Sequence, residues 1–315
     1  MNNIQSKYIP GPISDLYNNE DPGIDYLIFK VDAIREYVDN PKYKITYGDF
    51  GGRISRSRSF QFREYLLSRP LIFSYAYSKY ERDGRALVLL AYELMGLDTD
   101  DQYRWIKFIE NKDDYNVNGY FAEEVIYGNY VKQCSIYRAV LLEINTINQI
   151  CDEQNIDRIF SEEYSFSKDD LGEFRVLFLP SKRNFNHFIL TTNIIINDSM
   201  QDFYDYIIDK YNKRKKDVNR KIVNFQYYLE NEIGIDELSA QKIVSPFSLL
   251  LYLRNEVAHE LITDFWNESL WLEQDCFMDS LYDALRKFRE SLILHYKSKV
   301  DIPEEIVDEK NIVHP

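Results

Sequence analysis

The chain has 315 residues, which is enough for one large domain or two modest ones with a substantial apolar core. Its formal net charge of -14 argues against indiscriminate binding to nucleic acid, because such binding depends mainly on positive charges that neutralise phosphates. Three widely spaced cysteines and four scattered histidines indicate no disulfide framework, no zinc knuckle and no metal cluster.

The remaining composition indicates a helix-rich protein that is not embedded in a membrane. Only 11 glycines and 9 prolines occur, so tight turns are few, and 26 tyrosines and 19 phenylalanines are unusually many. No apolar run approaches the roughly eighteen residues that a membrane helix needs. The first residues do not form a basic and then apolar signal segment. We therefore expect a cytoplasmic protein without membrane contact.

Residues 1–60 are predicted to be an irregular N-terminal segment, since prolines interrupt it repeatedly. Within it, residues 25–37 fit a helix with Ile28, Phe29, Val31 and Ile34 turned inward. Residues 53–58 read Arg-Ile-Ser-Arg-Ser-Arg and predict a flexible basic loop. We interpret this loop as a solvated connector, because it lacks the Lys-Ser/Thr ending of a phosphate-binding loop.

Residues 61–198 are predicted to form a helical region with a short β insert, as a sensor or partner-binding domain. Periodic apolar residues predict helices at 85–95, 103–109, 120–130 and 132–150. Residues 174–179 and 188–196 are rich in β-branched and aromatic side chains, which predicts a small β-hairpin.

From Ser199 the predicted helices resume and continue to residue 300. Ser199 can cap a helix whose apolar side chains recur every three or four residues until Gly234 ends it. Inside this helix lies the densest positive charge of the chain, formed by Lys213, Arg214, Lys215 and Lys216. We consider these four residues candidate contacts for an RNA backbone, with a solvated helix surface as the equally weighted alternative.

Three further signals complete the C-terminal region. Asp236 or Ser239 begins a short helix, Pro246 begins the next helix in its first turn, and Asn267 caps the last long helix. Residues 199–300 therefore predict an up-and-down helical bundle, and residues 301–315 an acidic tail that frays. The expected fold class is mainly α, with a helical N-terminal region that carries the small β-hairpin insert.

The helix predicted to begin at Pro246 contains an unusual combination of side chains. Its apolar stripe consists of Phe247, Leu250, Leu251, Val257, Ala258 and Leu261. Arg254 falls in the middle of this stripe, where an unpartnered guanidinium would cost several kcal/mol if buried. Asn255 and His259 share the polar shoulder beside it. We expect the helix to direct these three groups towards one cleft or partner surface.

Arg254-Asn255-Glu256-Val257-Ala258-His259 resembles the Arg-polar-x-x-x-His signature of HEPN domains, over roughly the last hundred residues. HEPN domains are all-helical modules with the motif in their C-terminal half. The resemblance implies a metal-independent endoribonuclease, of the toxin or antiviral-defence type, whose site is built across a homodimer. It also implies an RNA substrate and, in some assemblies, an antitoxin or another defence protein as partner.

The residue types suit RNA cleavage without a metal or another cofactor. An imidazole has an ordinary pKa of about 6.5, so His259 can carry the proton to or from the reacting oxygens. Arg254 can hold phosphate oxygens with a fixed fork of donors, and Asn255 can orient the imidazole or a phosphate oxygen. The sequence therefore predicts Arg254, Asn255 and His259 as catalytic residues and no metal ligands.

Two similar patterns show how readily such spacing arises by chance. Arg289 and His295 also lie on a predicted helix, and Arg183, Asn184 and His187 lie in a predicted loop; we expect structural roles for both sets. Arg254 and His259 could likewise form a polar cluster that only fixes helix packing. The alternative function is a non-catalytic HEPN-like subunit that binds a nucleotide or a protein in a defence or toxin–antitoxin complex.

Overall fold

The computed structural model describes residues 11–16, 25–38, 40–48, 50–57, 71–80, 84–117, 134–164, 174–211, 220–259 and 265–313. The chain divides into two compact units, Met1–Val131 and Lys132–His314. The predicted helix at 120–130 and the basic run Lys213, Arg214, Lys215 and Lys216 lie outside the described residues.

The N-terminal unit contains a seven-stranded antiparallel sheet, so the prediction of a mainly α fold with one small β-hairpin was wrong. The strand order is β2-β3-β4-β5-β1-β6, and β7 pairs with the last residues of β4. The strands are β1 (Tyr26–Lys30), β2 (Tyr43–Gly48), β3 (Gly51–Arg56), β4 (Leu71–Ser78), β5 (Arg85–Leu90), β6 (Ile109–Glu110) and β7 (Tyr115–Val117).

Strand β5 explains the largest error of the sequence prediction. Residues 85–95 were predicted to be one helix, but Arg85–Leu90 is a strand and only Ala91–Leu94 is helical, as α3. All six residues of β5 are buried between its neighbours β4 and β1. A short continuous apolar run fits a buried strand and a buried helix equally well, because it has no periodicity to distinguish them.

The predicted basic loop at 53–58 was also wrong, because Gly51–Arg56 forms β3 between β2 and β4. Gly51 permits this close pairing: a Cβ atom there would lie 2.2 Å from the carbonyl oxygen of Phe73. The predicted helix at 25–37 begins instead as strand β1, followed by a 3-10 turn (Val31–Ile34) and α2 (Arg35–Val38).

Short helices accompany the sheet within the N-terminal unit. These are α1 (Pro12–Asp15), α2, α3 and α4 (Thr99–Ile106). Helix α4 begins before the predicted residue 103 because the Asp98 carboxylate accepts a hydrogen bond from the Asp101 N–H at 2.8 Å. On its buried side, the indole of Trp105 donates to the Tyr37 hydroxyl at 3.0 Å.

The C-terminal unit is helical. Its helices are α5 (Ile136–Glu153), α6 (Lys182–Asn193), α7 (Gln201–Tyr211), α8 (Arg220–Tyr228), α9 (Glu237–His259), α10 (Ser269–Tyr296) and α11 (Glu304–Val307). Two π-helical turns, Ile194–Asp198 and Leu229–Ile233, extend α6 and α8. A two-stranded parallel ladder pairs β8 (Cys134–Ser135) with β9 (Ile312–Val313).

A buried ion pair joins α5 to α10. Arg289 donates to both carboxylate oxygens of Glu143, at 2.5 and 3.2 Å, and neither side chain is more than 4% exposed. Burial raises the pKa of the Glu143 carboxyl, and the hydrogen bonds from Arg289 oppose that shift. This contact gives Arg289 the structural role that we expected for it.

The predicted β-hairpin was wrong. Residues 174–179 form neither helix nor strand, and residues 188–196 lie in α6 and the π-helical turn that extends it. Ser181 caps the helix by accepting from the Asn184 N–H at 3.2 Å. The buried residues Phe188 and Ile189 follow the buried Phe185 by three and four residues, which is the spacing of one helix face. Strand propensity misled the prediction, because aromatic and β-branched residues are also common on the buried face of a helix.

The bundle departs from the predicted up-and-down order. Helices α7 and α8 were predicted to be one helix, yet they pack beside each other in the same general direction. At the starts of the two helices, Lys221 of α8 donates to Gln201 of α7 at 2.5 Å. At their other ends, Lys210 of α7 pairs with Glu232, in the π-helical turn that extends α8, at 3.1 Å. Gly234, with φ of +85°, ends the second π-helical turn as predicted.

Helix α9 is one element rather than a short helix followed by a second one that begins at Pro246. Asp236 accepts from the Ser239 N–H at 3.0 Å and starts it, and Pro246 lies inside it. Asn267, the predicted cap of α10, accepts from the Ser269 N–H at 3.1 Å, but the N-cap position is occupied by Glu268. The tail does not fray over residues 304–313, which form α11, a 3-10 turn and β9.

We expect Arg289→Met to lower the free energy of unfolding by about 3–5 kcal/mol, because it leaves the Glu143 carboxylate buried without its ion-pair partner. The double variant Glu143→Leu, Arg289→Met should recover much of that loss, since no buried charge remains. Urea denaturation of the two single variants and the double variant measures the coupling. If the losses of unfolding free energy in the two single variants simply add in the double variant, the pairing is contradicted. The control is Arg158→Met, which breaks an exposed pair with Asp152 and should change the free energy of unfolding little.

The carboxyl of Glu93 should make the stability of the N-terminal unit depend on pH. Burial raises its pKa to about 7, and hydrogen bonds from the Ile72 N–H and from Tyr92 oppose the shift. Because the folded pKa is raised, this group's stabilising contribution is complete below about pH 4.5 and is lost as the pH rises through about 7. Glu93→Gln should therefore be more stable than the wild type at pH 8, and the difference should shrink at pH 5. Urea denaturation at both pH values tests this, and a difference independent of pH would contradict it.

Candidate active site at the end of helix α9

The buried side of α9 ends well before the helix does. Its buried residues are Ala240, Ile243, Val244, Pro246, Phe247 and Leu250. From Leu251 to His259 every residue is partly or fully exposed. The last turns of α9 therefore extend beyond the side chains that cover its first part, as far as the described residues show.

The predicted apolar stripe is correct for part of its length. Phe247 and Leu250 are fully buried, Leu251 and Val257 are partly exposed, and Ala258 is exposed. Leu261 lies outside the described residues. Arg254 continues the buried side of the helix, as predicted, but it is exposed. Its charge therefore does not carry the desolvation cost that burial would have imposed.

The guanidinium of Arg254 is turned towards the neighbouring amide. Its Nη1 atom donates a hydrogen bond to Oδ1 of Asn255 at 3.3 Å. On an ideal helix Arg254 and His259 point about 140° apart. Because Asn255 lies on the same side as His259, this contact brings the cation round towards the imidazole. The other N–H groups of Arg254 have no partner among the described residues.

Asn255 and His259 lie one helical turn apart on the exposed side of α9. His259 is the last residue of the helix, and its side chain is exposed. Its ring makes no hydrogen bond, ion pair or ring contact with any residue that the structure describes. The imidazole is therefore open to solvent, and Arg254 has further N–H donors without a partner among the described residues. This arrangement can bind an anionic group and move a proton beside it.

A row of apolar side chains lies on the side of α9 that faces away from Asn255. Leu249, Leu253 and Val257 follow one another at four-residue spacing and form one ridge. Leu249 is 44% exposed, and the other two are partly exposed. A helix from another molecule that packed on this ridge would leave Asn255 on the opposite side of α9, with the Cα–Cβ directions of Arg254 and His259 about 100° and about 120° from that of Leu253.

The two similar patterns have other surroundings. Arg289 is buried in its pair with Glu143, and the exposed ring of His295 packs edge-on against Tyr296 at 4.5 Å. Arg183, Asn184 and His187 lie on α6 rather than in the predicted loop. Asn184 donates to the Leu179 carbonyl at 3.3 Å. His295 is exposed in the last turn of α10, but its Arg289 is buried, and the second pattern lies in the first turns of α6.

A cavity that the sequence did not indicate lies in the C-terminal unit. It has a volume of about 710 Å³ and includes the aromatic side chains of Phe203, Tyr206, Tyr228 and Tyr296 in its lining. Its cations are paired: Lys210 with Glu232 at 3.1 Å, and Arg158 with Asp152 at 2.6 Å. Helix periodicity could not reveal this cavity, because its walls come from segments far apart in the chain.

Comparison of the chain with protein-family models, with curated proteins and with solved structures finds no match. Within the described ranges, no group of three or more His, Cys, Asp or Glu side chains is placed to hold a metal ion. No helix in those ranges combines the length and the apolar character that crossing a bilayer requires.

Proposed function

We propose that the protein is a metal-independent endoribonuclease of HEPN type. The observation that carries the proposal is the exposed end of α9, where Arg254 donates to Asn255 and His259, which has no partner among the described residues, lies one turn further on. The resemblance of this segment to the HEPN signature supports the same function. In this proposal the protein is a cytoplasmic toxin or antiviral-defence effector that cuts RNA.

The chemistry follows from the groups at this site. One imidazole takes the proton from a ribose 2′-hydroxyl, whose oxygen attacks the adjacent phosphorus. A protonated imidazole gives a proton to the departing 5′-oxygen, so the products are a 2′,3′-cyclic phosphate and a 5′-hydroxyl. Arg254 holds the phosphate oxygens as negative charge accumulates on them, and Asn255 positions the guanidinium.

A second copy of the chain supplies the second imidazole in this proposal, because one α9 carries one histidine of the motif. The ridge of Leu249, Leu253 and Val257 is the surface on which we place that copy. Partly exposed apolar residues are typical of homodimer contacts. The expected partners are therefore RNA and an identical chain, with an antitoxin or defence protein as a regulatory partner.

One observation favours a second candidate function, a non-catalytic HEPN-like subunit that binds a nucleotide or a protein. The net charge of -14 disfavours RNA, and the aromatic-lined cavity of about 710 Å³ has the size of a small-molecule site. In that case RNA would not be cleaved under any condition, and a pull-down would recover a stoichiometric partner.

The purified protein should cleave RNA in the presence of EDTA. His259→Ala should reduce the cleavage rate by about 10²- to 10⁴-fold, because it removes a proton carrier. Arg254→Ala should reduce it by about 10²- to 10³-fold, because it removes charge stabilisation at the phosphate. Gel analysis of a labelled RNA with 5′-hydroxyl detection measures both rates.

The matched controls are His295→Ala and Arg183→Ala, which remove the same residue types from α10 and α6. Both should cleave at the wild-type rate. Cleavage that survives both Arg254→Ala and His259→Ala would remove these residues from the mechanism. Equal losses in the controls would show that the effect is not specific to α9.

The proposed dimer surface can be tested by a charge. Leu253→Asp places a carboxylate in the apolar ridge, so it should halve the molecular mass measured by light scattering and abolish cleavage. Leu294→Asp is the control, since Leu294 is 82% exposed on α10. A monomeric wild type that cleaves RNA would contradict the composite site.

A further inference from the structure

The side of α9 that bears His259 also bears an exposed aromatic ring. Tyr252 precedes His259 by seven residues, so on a continuous helix the two side chains differ by about 20° in direction and lie about 10.5 Å apart along the axis. Asn255 lies between them on the same side. The arrangement exists because α9 runs unbroken from Glu237 to His259.

The Tyr252 ring is not used by the fold as far as the structure describes it. It is 60% exposed and has no hydrogen bond, ion pair or ring contact with a described residue. Tyr206, an exposed tyrosine on α7, instead lies 5.5 Å from the Lys210 ammonium. Tyrosine is also a poorer helix former than alanine, lysine or glutamate, so helix stability does not explain it here.

The surroundings of Tyr252 leave its face accessible. Ser245 and Ser248 precede it on the same side of the helix, and both are small and exposed. Glu256 follows it one turn later and is exposed as well. The other neighbour on the preceding turn is Leu249, which is 44% exposed. A flat group can approach the ring from the side of the two serines.

We propose that Tyr252 stacks on an unpaired RNA base close to the scissile phosphate, so that the site selects single-stranded RNA. The inference rests on the proposed ribonuclease function for the phosphate position and deepens it by naming the substrate class. A base stacks on a tyrosine ring only when it is free of its own strand, as in loops and ends. Tyr252 lies about 4.5 Å from Asn255 and about 10.5 Å from His259 along the axis, which places the stacked base a few nucleotides at most from a phosphate held near Asn255.

Binding of an RNA that cannot be cleaved tests the inference apart from catalysis. The probe is a short, labelled RNA of mixed sequence whose sugars all carry 2′-O-methyl groups, used single-stranded and annealed to its complement. Fluorescence anisotropy at one fixed salt concentration measures the dissociation constant. Tyr252→Ala should weaken single-strand binding by about 5- to 150-fold, because stacking of one base contributes about 1 to 3 kcal/mol.

Two further variants separate the ring from other causes. Tyr252→Phe keeps the ring and should bind within about threefold of the wild type, a difference below 1 kcal/mol. Tyr103→Ala removes a tyrosine of α4 that is 57% exposed, against 60% for Tyr252, and should change nothing. The wild type should bind the duplex more weakly than the single strand.

Several outcomes would overturn the inference. These are wild-type affinity in Tyr252→Ala, a loss in Tyr252→Phe as large as that in Tyr252→Ala, equal affinity for the duplex, or no binding by the wild type. A change of molecular mass in Tyr252→Ala would assign the ring to a protein contact instead. Stacking as described without cleavage by any preparation would overturn the nuclease proposal alone, whereas cleavage with unchanged binding in Tyr252→Ala would overturn only this inference.

Discussion

The buried pair of Glu143 and Arg289 is the contact on which the C-terminal unit depends. It fixes α5 against α10, and the residue beside Arg289, Phe288, begins a chain of ring contacts. Phe288 packs on Phe225 of α8 at 5.3 Å, and Phe225 packs on Phe247 of α9 at 5.4 Å. The direction of α9, and with it the place of the motif at its end, follows from these contacts. The buried pair of Glu143 and Arg289 thus helps to fix α9, whose own Arg254 and His259 are exposed to solvent.

The sequence predicted the helical character of the C-terminal residues and some helix ends, though not the division into helices, because those signals are local. The cap at Asp236 and the stop at Gly234 each depend on the chemistry of a few neighbouring residues, and the structure contains both, whereas the N-cap of α10 is Glu268, one residue after the predicted cap Asn267. Strand β5 and helix α6 were wrong for the opposite reason. Strand β5 is buried on both faces, so its sequence has no alternation of apolar and polar residues. Helix α6 carries aromatic and β-branched residues on its buried face, and these residue types are also typical of strands. Whether such a segment becomes a strand or a helix depends on which distant segments pack against it, and a single sequence does not show that.

The candidate site shows the same division. The motif residues could be found from their spacing, but their exposure could not, because it depends on where the neighbouring helices stop covering α9. The sequence suggested a cation held in an apolar stripe, whereas the helix end is uncovered and Arg254 contacts Asn255. Tyr252 was overlooked because its exposure, like that of the motif, depends on the packing of neighbouring helices and not on the spacing of residues in the chain. A continuous α9 makes Tyr252, Asn255 and His259 one surface.

The short ladder between β8 and β9 has a consequence for how the C-terminal unit can be cut and rejoined. Cys134 pairs with Ile312 and Ser135 with Val313, so the two ends of this unit meet side by side. Segments whose ends adjoin tolerate circular permutation and insertion into other proteins. The unit could therefore be transplanted whole, with its entry and exit at one point. A fragment that begins at residue 199 would instead lack α5, and Arg289 would lose its ion-pair partner Glu143.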